Sequence, residues 1–372
     1  MKGRMRAAGI LLSVLSLGAY WLSAGQMKQP ASHYKVLPPA SQGNLTVFPV
    51  VSDISSDTGN LMTLEEGIRS GQVTVTEAGG TTGLVRPRPS PDGLWPERLF
   101  PSPWIQGRVN ELALINKSDR PLILLAGEIV TGGKQDRVVG KDRIIPAHSD
   151  PVALGVFCVE PHRWTAMSAE FRPLQFSMAQ PSVRSRAMAD QNQQEVWDEV
   201  AKSRSAFAAA APASEAQTMQ STSSYAGAFG SNALKRQIDS IAGPIEQSYE
   251  KLLGQLRAQH AVGAVVAVNN EITWADVFAS SSLLERYWPK LIRSYAAEAI
   301  TPHYSPAITR IPPTRDNAQD FLDILHARRE NIETEPGVYR NTEIVGSDFD
   351  AFILTVLLPN TGFNVHIAKM KR

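Results

Sequence analysis

Residues 109–159 read VNELALINKSDRPLILLAGEIVTGGKQDRVVGKDRIIPAHSDPVALGVFCV. The apolar runs here are short: Val109–Ile115, Leu122–Ala126, Val138–Val139, Arg143–Ile145 and Val152–Val159. None is long enough, or spaced correctly, for an amphipathic helix. Turn-forming residues interrupt them repeatedly, so the stretch predicts strands. Asn116-Lys117-Ser118-Asp119-Arg120-Pro121 is turn chemistry and predicts a hairpin between the first two runs. No regular strand–helix–strand spacing appears, which favours an antiparallel or mixed sheet over a doubly wound one.

Working towards the N-terminus, Val73–Glu77 alternates apolar and polar residues as a half-buried strand does. Leu64–Ser70 predicts a short helix capped by Thr63, and Leu45–Val51 a strand broken by Pro49. Arg86–Pro103 is crowded with prolines and predicts a loop. Gln26–Gly43 is polar with paired prolines and reads as a linker, so the globular part is expected over residues 44–372. Residues 1–25, MKGRMRAAGILLSVLSLGAYWLSAG, join three basic residues to an uncharged apolar run and a small-residue end. That is the pattern of a secretory signal peptide, so the protein is expected to be exported, periplasmic or secreted. The alternative is an uncleaved membrane anchor, for which Tyr20 and Trp21 would suit the interface. No other membrane contact is expected.

Beyond Trp164 the pattern turns helical. Asn192–Phe207 has helical apolar spacing, and Asn232–His260 places Leu234, Ile238, Ile241, Ile245 and Tyr249 on one stripe. Gly243-Pro244 should kink or divide that helix. Residues 208–231 are nearly all Ala, Ser, Gly, Gln and Thr and predict a flexible loop outside the core. Ala261–Ile272 reads as a buried strand turning at Asn269-Asn270, Leu283–Ile300 as a helix, and Asp316–Arg329 as a helix capped near Thr314 or Asp316. Phe349–Leu358 and Asn364–Lys369 predict a C-terminal β-hairpin. The class is therefore α+β: a β-rich N-terminal half of mostly antiparallel or mixed sheet, followed by helices, then the hairpin. Strands come from both ends of the chain, so one composite domain and two domains are both open.

Composition narrows the function. The 372 residues carry 37 Lys plus Arg against 36 Asp plus Glu, a net charge of +1. That balance excludes a broadly basic nucleic-acid surface. Removing a leader with three cations leaves the remainder at −2. A single cysteine, Cys158, excludes a disulfide framework and a multi-cysteine zinc site. In an oxidising compartment that thiol should be buried.

Two polar blocks could carry chemistry. In Gly127–Arg143, the Gly132-Gly133 backbone allows close approach and an anion-binding nest, with Gln135 and Arg137 beside it. Glu128 and Asp136 could act as acid or base. A phosphate-binding P-loop fails on spacing, since Gly133 stands where the lysine should be and no Ser or Thr follows Lys134. The second block is Cys158-Val159-Glu160-Pro161-His162-Arg163-Trp164. Glu160 is a third acid–base candidate; Cys158, Arg163 and Trp164 could line a ligand. A thiol nucleophile would need His162 or Arg163 to lower its pKa, and a buried cysteine is more often a small hydrophobe. No metal site is assigned. A site assembled from the scattered His148, His162 and Glu160 stays open, with a structural histidine the simpler reading, and the sequence names neither a cofactor nor an oligomeric state. Glu271 and Asp276 could share a cleft, although Asp276 reads more simply as a helix cap. His366 reads as a satisfied sheet residue.

The ordered set LxLLAGEIVTGGKQDR, DRIIP, VFCVEPHRW, NQxEVW and a strand leading into DVF resembles the bacterial family described as ARG and rhodanese–phosphatase-superfamily-associated protein, a domain of unknown function. The resemblance runs from about Asn44 to Ala299. The family's first block matches at Gly127, Glu128, Gly132, Gly133, Gln135, Asp136 and Arg137, and its second at Cys158, Glu160, Arg163 and Trp164. The name records an association with ADP-ribosylglycohydrolases. It implies binding or processing of an anionic, nucleotide- or ADP-ribose-like small molecule. The alternative is a non-catalytic extracytoplasmic domain in which the same charges form a structural ion-pair network.

Overall fold

The structure is a computed structural model that describes residues 33–78, 110–161, 163, 167–255, 260–301, 311–325, 327–359 and 361–372. The leader, the proline-crowded segment 86–103, His162 and Trp164 lie outside the described residues. Residues His33–Arg372 form one compact unit.

Its elements run β1 (Tyr34–Val36), β2 (Ala40–Gln42), β3 (Leu45–Ser52), β4 (Met62–Thr63), α1 (Leu64–Arg69), β5 (Val73–Glu77), β6 (Glu111–Asn116), β7 (Leu122–Leu124), β8 (Glu128–Thr131), β9 (Arg137–Val139), β10 (Arg143–Ile145), β11 (Val152–Cys158) and β12 (Arg172–Met178). Then come α2 (Pro181–Ser185), a π-helical turn (Arg186–Asp190), α3 (Gln193–Ala210), α4 (Ala213–Ser221), α5 (Tyr225–Phe229) and α6 (Asn232–Gln255). The chain closes with β13 (His260–Val268), β14 (Glu271–Phe278), α7 (Ser281–Ile300), α8 (Arg315–Asp323), β15 (Arg329–Glu335), β16 (Tyr339–Val345), β17 (Phe349–Val356) and β18 (Asn364–Lys371). This is the α+β class, with the C-terminal antiparallel set in place.

Two bodies of sheet organise the unit. A nine-stranded sheet in the order β1-β3-β13-β14-β18-β17-β16-β15, with β2 also on β3, joins both ends of the chain. The β13–β14 turn is made by Asn269 and Asn270, both at positive φ (52° and 61°), as a tight hairpin of this kind requires. A second sheet runs β12-β8-β9-β11-β6-β5. Its edges meet, because Thr76 bridges Glu170 and the Phe171 N–H bonds to the Val75 carbonyl at 2.8 Å. The sheet thus curls into a small barrel. Its interior holds Val73, Val75, Leu112, Leu114, Val130, Val139, Leu154, Val156 and Phe171. The short sheet β10-β7-β4 packs Leu122, Leu124, Ile145 and Met62 into the same core.

Several local expectations change: β3 runs unbroken through Pro49, and the helix at Asp316 ends at Asp323, with Arg329 opening a strand. Strands β6 and β7 do not pair: β6 pairs with β11 and β5, and β7 with β10 and β4. The Asn116 side chain explains this. It donates to the carbonyls of Arg120 and Pro146, turning the segment into a crossover between sheets. Residues 34–42 are not a linker but supply β1 and β2. Residues 208–231 are not a loose loop. Alanine favours helix, and α4 and α5 bury Met219, Tyr225 and Phe229, the last two packed with Phe207. Finally, α6 is one helix across Pro244, not two. The lost hydrogen bond is offset by its buried stripe of Ala242, Ile245 and Tyr249. Ser280 caps α7 and Thr314 caps α8, the latter in a capping box.

Candidate functional site

The first polar block divides between two places. Glu128 leaves the others. Its Oε1 lies 3.0 Å from Nζ of Lys290 on α7, and its Oε2 accepts from the Leu125 N–H at 3.0 Å. Lys290 also meets Glu65 at 3.1 Å. Burial alone would lower the pKa of this lysine, but the Glu128 and Glu65 charges outweigh burial and raise it. Glu128 is thus one arm of a buried Glu–Lys–Glu bridge joining β8, α7 and α1. It does not share a cleft with Asp136 and Glu160.

Asp136, Glu160, Arg163, Gly132 and Gly133 do converge. Arg163 Nη2 reaches Glu160 at 2.5 Å and Asp136 at 3.4 Å, while its Nη1 donates to the Gly133 carbonyl at 3.1 Å. Asp136 also accepts from the Gly132 N–H at 3.1 Å and from the Ser224 hydroxyl at 3.0 Å. Ser224 is the N-cap of α5, so the Ala/Ser-rich helices close over the block. Burial raises the Asp136 pKa, and the Glu160 charge adds to that, against the hydrogen bonds and Arg163. The glycines are required by geometry. Both sit at positive φ, and a Cβ on Gly133 would fall 2.2 Å from the Phe171 ring and 2.6 Å from Glu77 Oε1.

Arg137 takes a third position. It stands two residues before Val139 on β9, so strand alternation turns it into the barrel. Cys158 is its cross-strand partner on one side and Val130 on the other. The arginine has no exposed surface. Its Nη1 donates to the Asp136 carbonyl at 3.4 Å, and its Nη2 lies 3.8 Å from Glu77 Oε1. Its Nε and Nη2 lack a hydrogen-bond acceptor among the described residues, as does the buried Gln135 Oε1 for a donor. Burial pushes the Cys158 thiol up to about 11, more than Arg137 pulls it down. At neutral pH it is a protonated thiol, a poor nucleophile.

A groove of about 570 Å³ adjoins this block. Thr131, Glu170 and Phe171 form the wall nearest the Gly132-Gly133 turn; Arg69, Arg172 and Lys235 bring positive charge. Phe171 therefore has two neighbourhoods, lining the groove and packing on Gly133. His148 lies apart, 2.6 Å from Asp119 at the surface. Among the described residues no group of three or more His, Cys, Asp or Glu could hold a metal ion. No helix among them is long and apolar enough to cross a membrane.

A tightly knit polar group is centred outside both sequence blocks. Arg184 on α2 forms a bidentate pair with Asp276 on β14, at 2.8 and 2.9 Å. Trp274 Nε1 and the Tyr295 hydroxyl donate to the same carboxylate at 2.8 and 2.5 Å. His366 on β18 bridges Asp276 at 3.1 Å and Asp142 at 2.5 Å. Asp142 in turn accepts from the Ala126 N–H at 2.7 Å. Asp276 is neither a helix cap nor a cleft partner of Glu271. It is a mid-strand anion whose pKa falls despite burial, because Arg184 and His366 surround it. His366 is raised to about 9, the Asp142 and Asp276 charges overcoming burial. Two cations and two anions balance, with every polar atom named here engaged.

A small barrel fused to a nine-stranded sheet, with its polar block closed by helices and a charged groove beside it, defines an α+β domain. A family model described as ARG and Rhodanese-Phosphatase-superfamily-associated Protein domain matches residues 33–368, nearly the whole chain, and the protein belongs to that family. No curated protein and no solved structure matches the chain.

Proposed function

We propose that the protein is an exported binding protein for an anionic small molecule of nucleotide or ADP-ribose type, held in the groove beside the Gly132-Gly133 turn. The observation that carries this reading is the groove's charge: Arg172 and Lys235, beside an Arg69 already paired with Glu65, face a single carboxylate, Glu170. Among the described residues, Arg172 and Lys235 have no ion-pair partner, so both are available to a ligand's phosphates. The volume falls within the range of small-molecule sites, and Phe171 and Phe229 supply apolar wall. The family name's link to ADP-ribose chemistry points the same way. Binding is favoured over catalysis, because Asp136 and Glu160 are held by Arg163 and Glu128 by Lys290. The leader and the fully buried lone cysteine support export.

Calorimetry with ADP-ribose, ADP and sugar phosphates tests it. Binding of at least one ligand is expected, weakened at least tenfold by the paired change Arg172→Glu and Lys235→Glu. Export is tested by intact mass: the extracytoplasmic fraction should hold a chain lacking about 25 residues. A second reading has its own support. The ion-paired Glu160–Arg163–Asp136 cluster fits a structural network in a non-catalytic scaffold. That reading stands if no ligand binds while Arg163→Met still lowers the melting temperature.

A further inference from the structure

Arg137 presents a problem that the proposed groove does not solve. It is a guanidinium without exposed surface, and its unused atoms are a matched pair. Nη1 is engaged by the Asp136 carbonyl. Nε and Nη2, which have no acceptor among the described residues, point their N–H bonds the same way and make up the edge of the guanidinium that takes two oxygens at once. A buried donor without a partner is costly, so an empty bidentate edge in a packed barrel calls for an occupant. Glu77 does not fill it: its Oε1 stands 3.8 Å from Nη2 and accepts instead from the Lys134 N–H at 2.6 Å. The surroundings are shielded. Cys158 and Val130 flank Arg137 across the strands, and the Phe171 ring and Glu77 close tightly over Gly133, where a side chain would displace them.

We propose that Arg137 is an inner oxyanion site at the end of the barrel, taking two oxygens of a phosphate or carboxylate group, with the Phe171 ring as the partition between it and the outer groove. The inner site rests on the groove reading only in that the groove supplies the way in. A ligand longer than a single anion would lay its body along Thr131 and Arg172 and place its terminal acid group on Arg137. Phosphate and carboxylate offer the same pair of oxygens, so both sources are covered by one geometry.

The test uses the chain from residue 26 onward with inorganic phosphate and, separately, acetate as probes. Heteronuclear NMR of arginine-labelled protein reads the buried Nε–H of Arg137, assigned through Arg137→Lys. Expected is a saturable shift of that resonance on adding one of the two probes, and a rise in melting temperature that Arg137→Met reduces at least tenfold in apparent affinity. Phe171→Ala should speed exchange of the Nε–H with solvent. If Arg137→Met does not fold, the resonance of the wild-type protein still decides. An Nε–H unmoved by both probes overturns the site, as does phosphate binding that survives Arg137→Met. The groove is read independently. Phosphate binding lost in the Arg172→Glu and Lys235→Glu pair but kept in Arg137→Met supports the groove and removes the inner site. The reverse result keeps the inner site and removes the groove.

Discussion

Two buried arginines, Arg184 and Arg137, stand in opposite conditions. Neither has exposed surface. Arg184 meets Asp276 through two hydrogen bonds, gives its Nε–H to the Ala126 carbonyl at 3.2 Å, and stacks on Trp274 with its guanidinium carbon 4.5 Å from the ring centre. Among the described residues, Arg137 has a single long hydrogen bond and a carboxylate at the limit of ion pairing. The difference teaches where each arginine's role lies. A saturated charge in the core ties elements together: here α2, β14, β18 and the β9–β10 loop meet through Arg184, Asp276, His366 and Asp142. An unsaturated charge adds cost without fixing the fold, and its retention is easier to understand as a role towards something outside the chain.

The strongest way to break this comparison is Arg184→Met. It leaves Asp276 buried with only His366 as a cation, and removal of one partner from a buried pair costs about 3–5 kcal/mol. Denaturant unfolding should show that loss. A change below about 1 kcal/mol would mean that the two arginines do not differ in structural role.

The next effect is a pH dependence. His366 titrates near 6.5 when unfolded and at about 9 when folded. The folded chain therefore keeps a proton that the unfolded chain gives up. This stabilisation is complete below pH 6.5 and is lost as pH rises through 9. Lys369 shifts the opposite way, from 10.5 down to about 8, because burial disfavours its charge. Its contribution rises with pH only above 8, so the window from 6.5 to 8 isolates the histidine. A fall of up to about 2 kcal/mol is expected across it, and His366→Gln should flatten the profile. A wild-type profile already flat there would sink the assignment.

How much of this was legible in sequence divides along the same line. Features with local causes could be read: the Asn269-Asn270 turn, the Thr63 and Thr314 caps, the helix over Leu283–Ile300 and the C-terminal hairpin. Those signals act over a few residues. The Arg184–Asp276–His366 network could not be read, because its members are 92 and 90 residues apart in pairs and no local pattern marks them. Arg184 sits in an unremarkable PSVRS segment, and His366 alternates like any strand residue. Glu128 was grouped with Asp136 by proximity in sequence, yet strand β8 delivers it to Lys290, 162 residues away. The Ala/Ser-rich segment misleads because its small residues outnumber the apolar anchors Met219, Tyr225 and Phe229 that bury it.

A smaller effect probes how that segment closes the polar block. Ser224→Ala removes the cap of α5, where the hydroxyl accepts from the Gly227 N–H at 2.8 Å, and the bond to Asp136. A loss of about 1 kcal/mol is expected from the cap. Hydrogen exchange should rise at Tyr225–Phe229 and at the Gly132 amide together. Exchange rising in α5 alone would show that the helices only cover the block without bracing it.

The smallest effect separates Asp136 from Asp276, the two carboxylates at the centres of the compared regions. Asp276 is held ionised by cations, whereas burial and Glu160 press Asp136 towards its protonated form. Because the folded pKa of Asp136 is raised above 3.8, the folded state binds a proton that the unfolded state releases, and stability declines as pH rises through that window. Asn at this position imitates the protonated form. Its carbonyl can accept from the Gly132 N–H, and its amide can face the Ser224 oxygen. Asp136→Asn should therefore shift stability at pH 7 by less than about 1 kcal/mol and remove part of the decline seen as pH rises above 3.8 in wild type. Asp276→Asn, read in the same way, has no neutral form to imitate and should unfold far more easily. Equal losses at the two positions would erase the distinction between a charge that ties the fold together and a polar block held against its own charge.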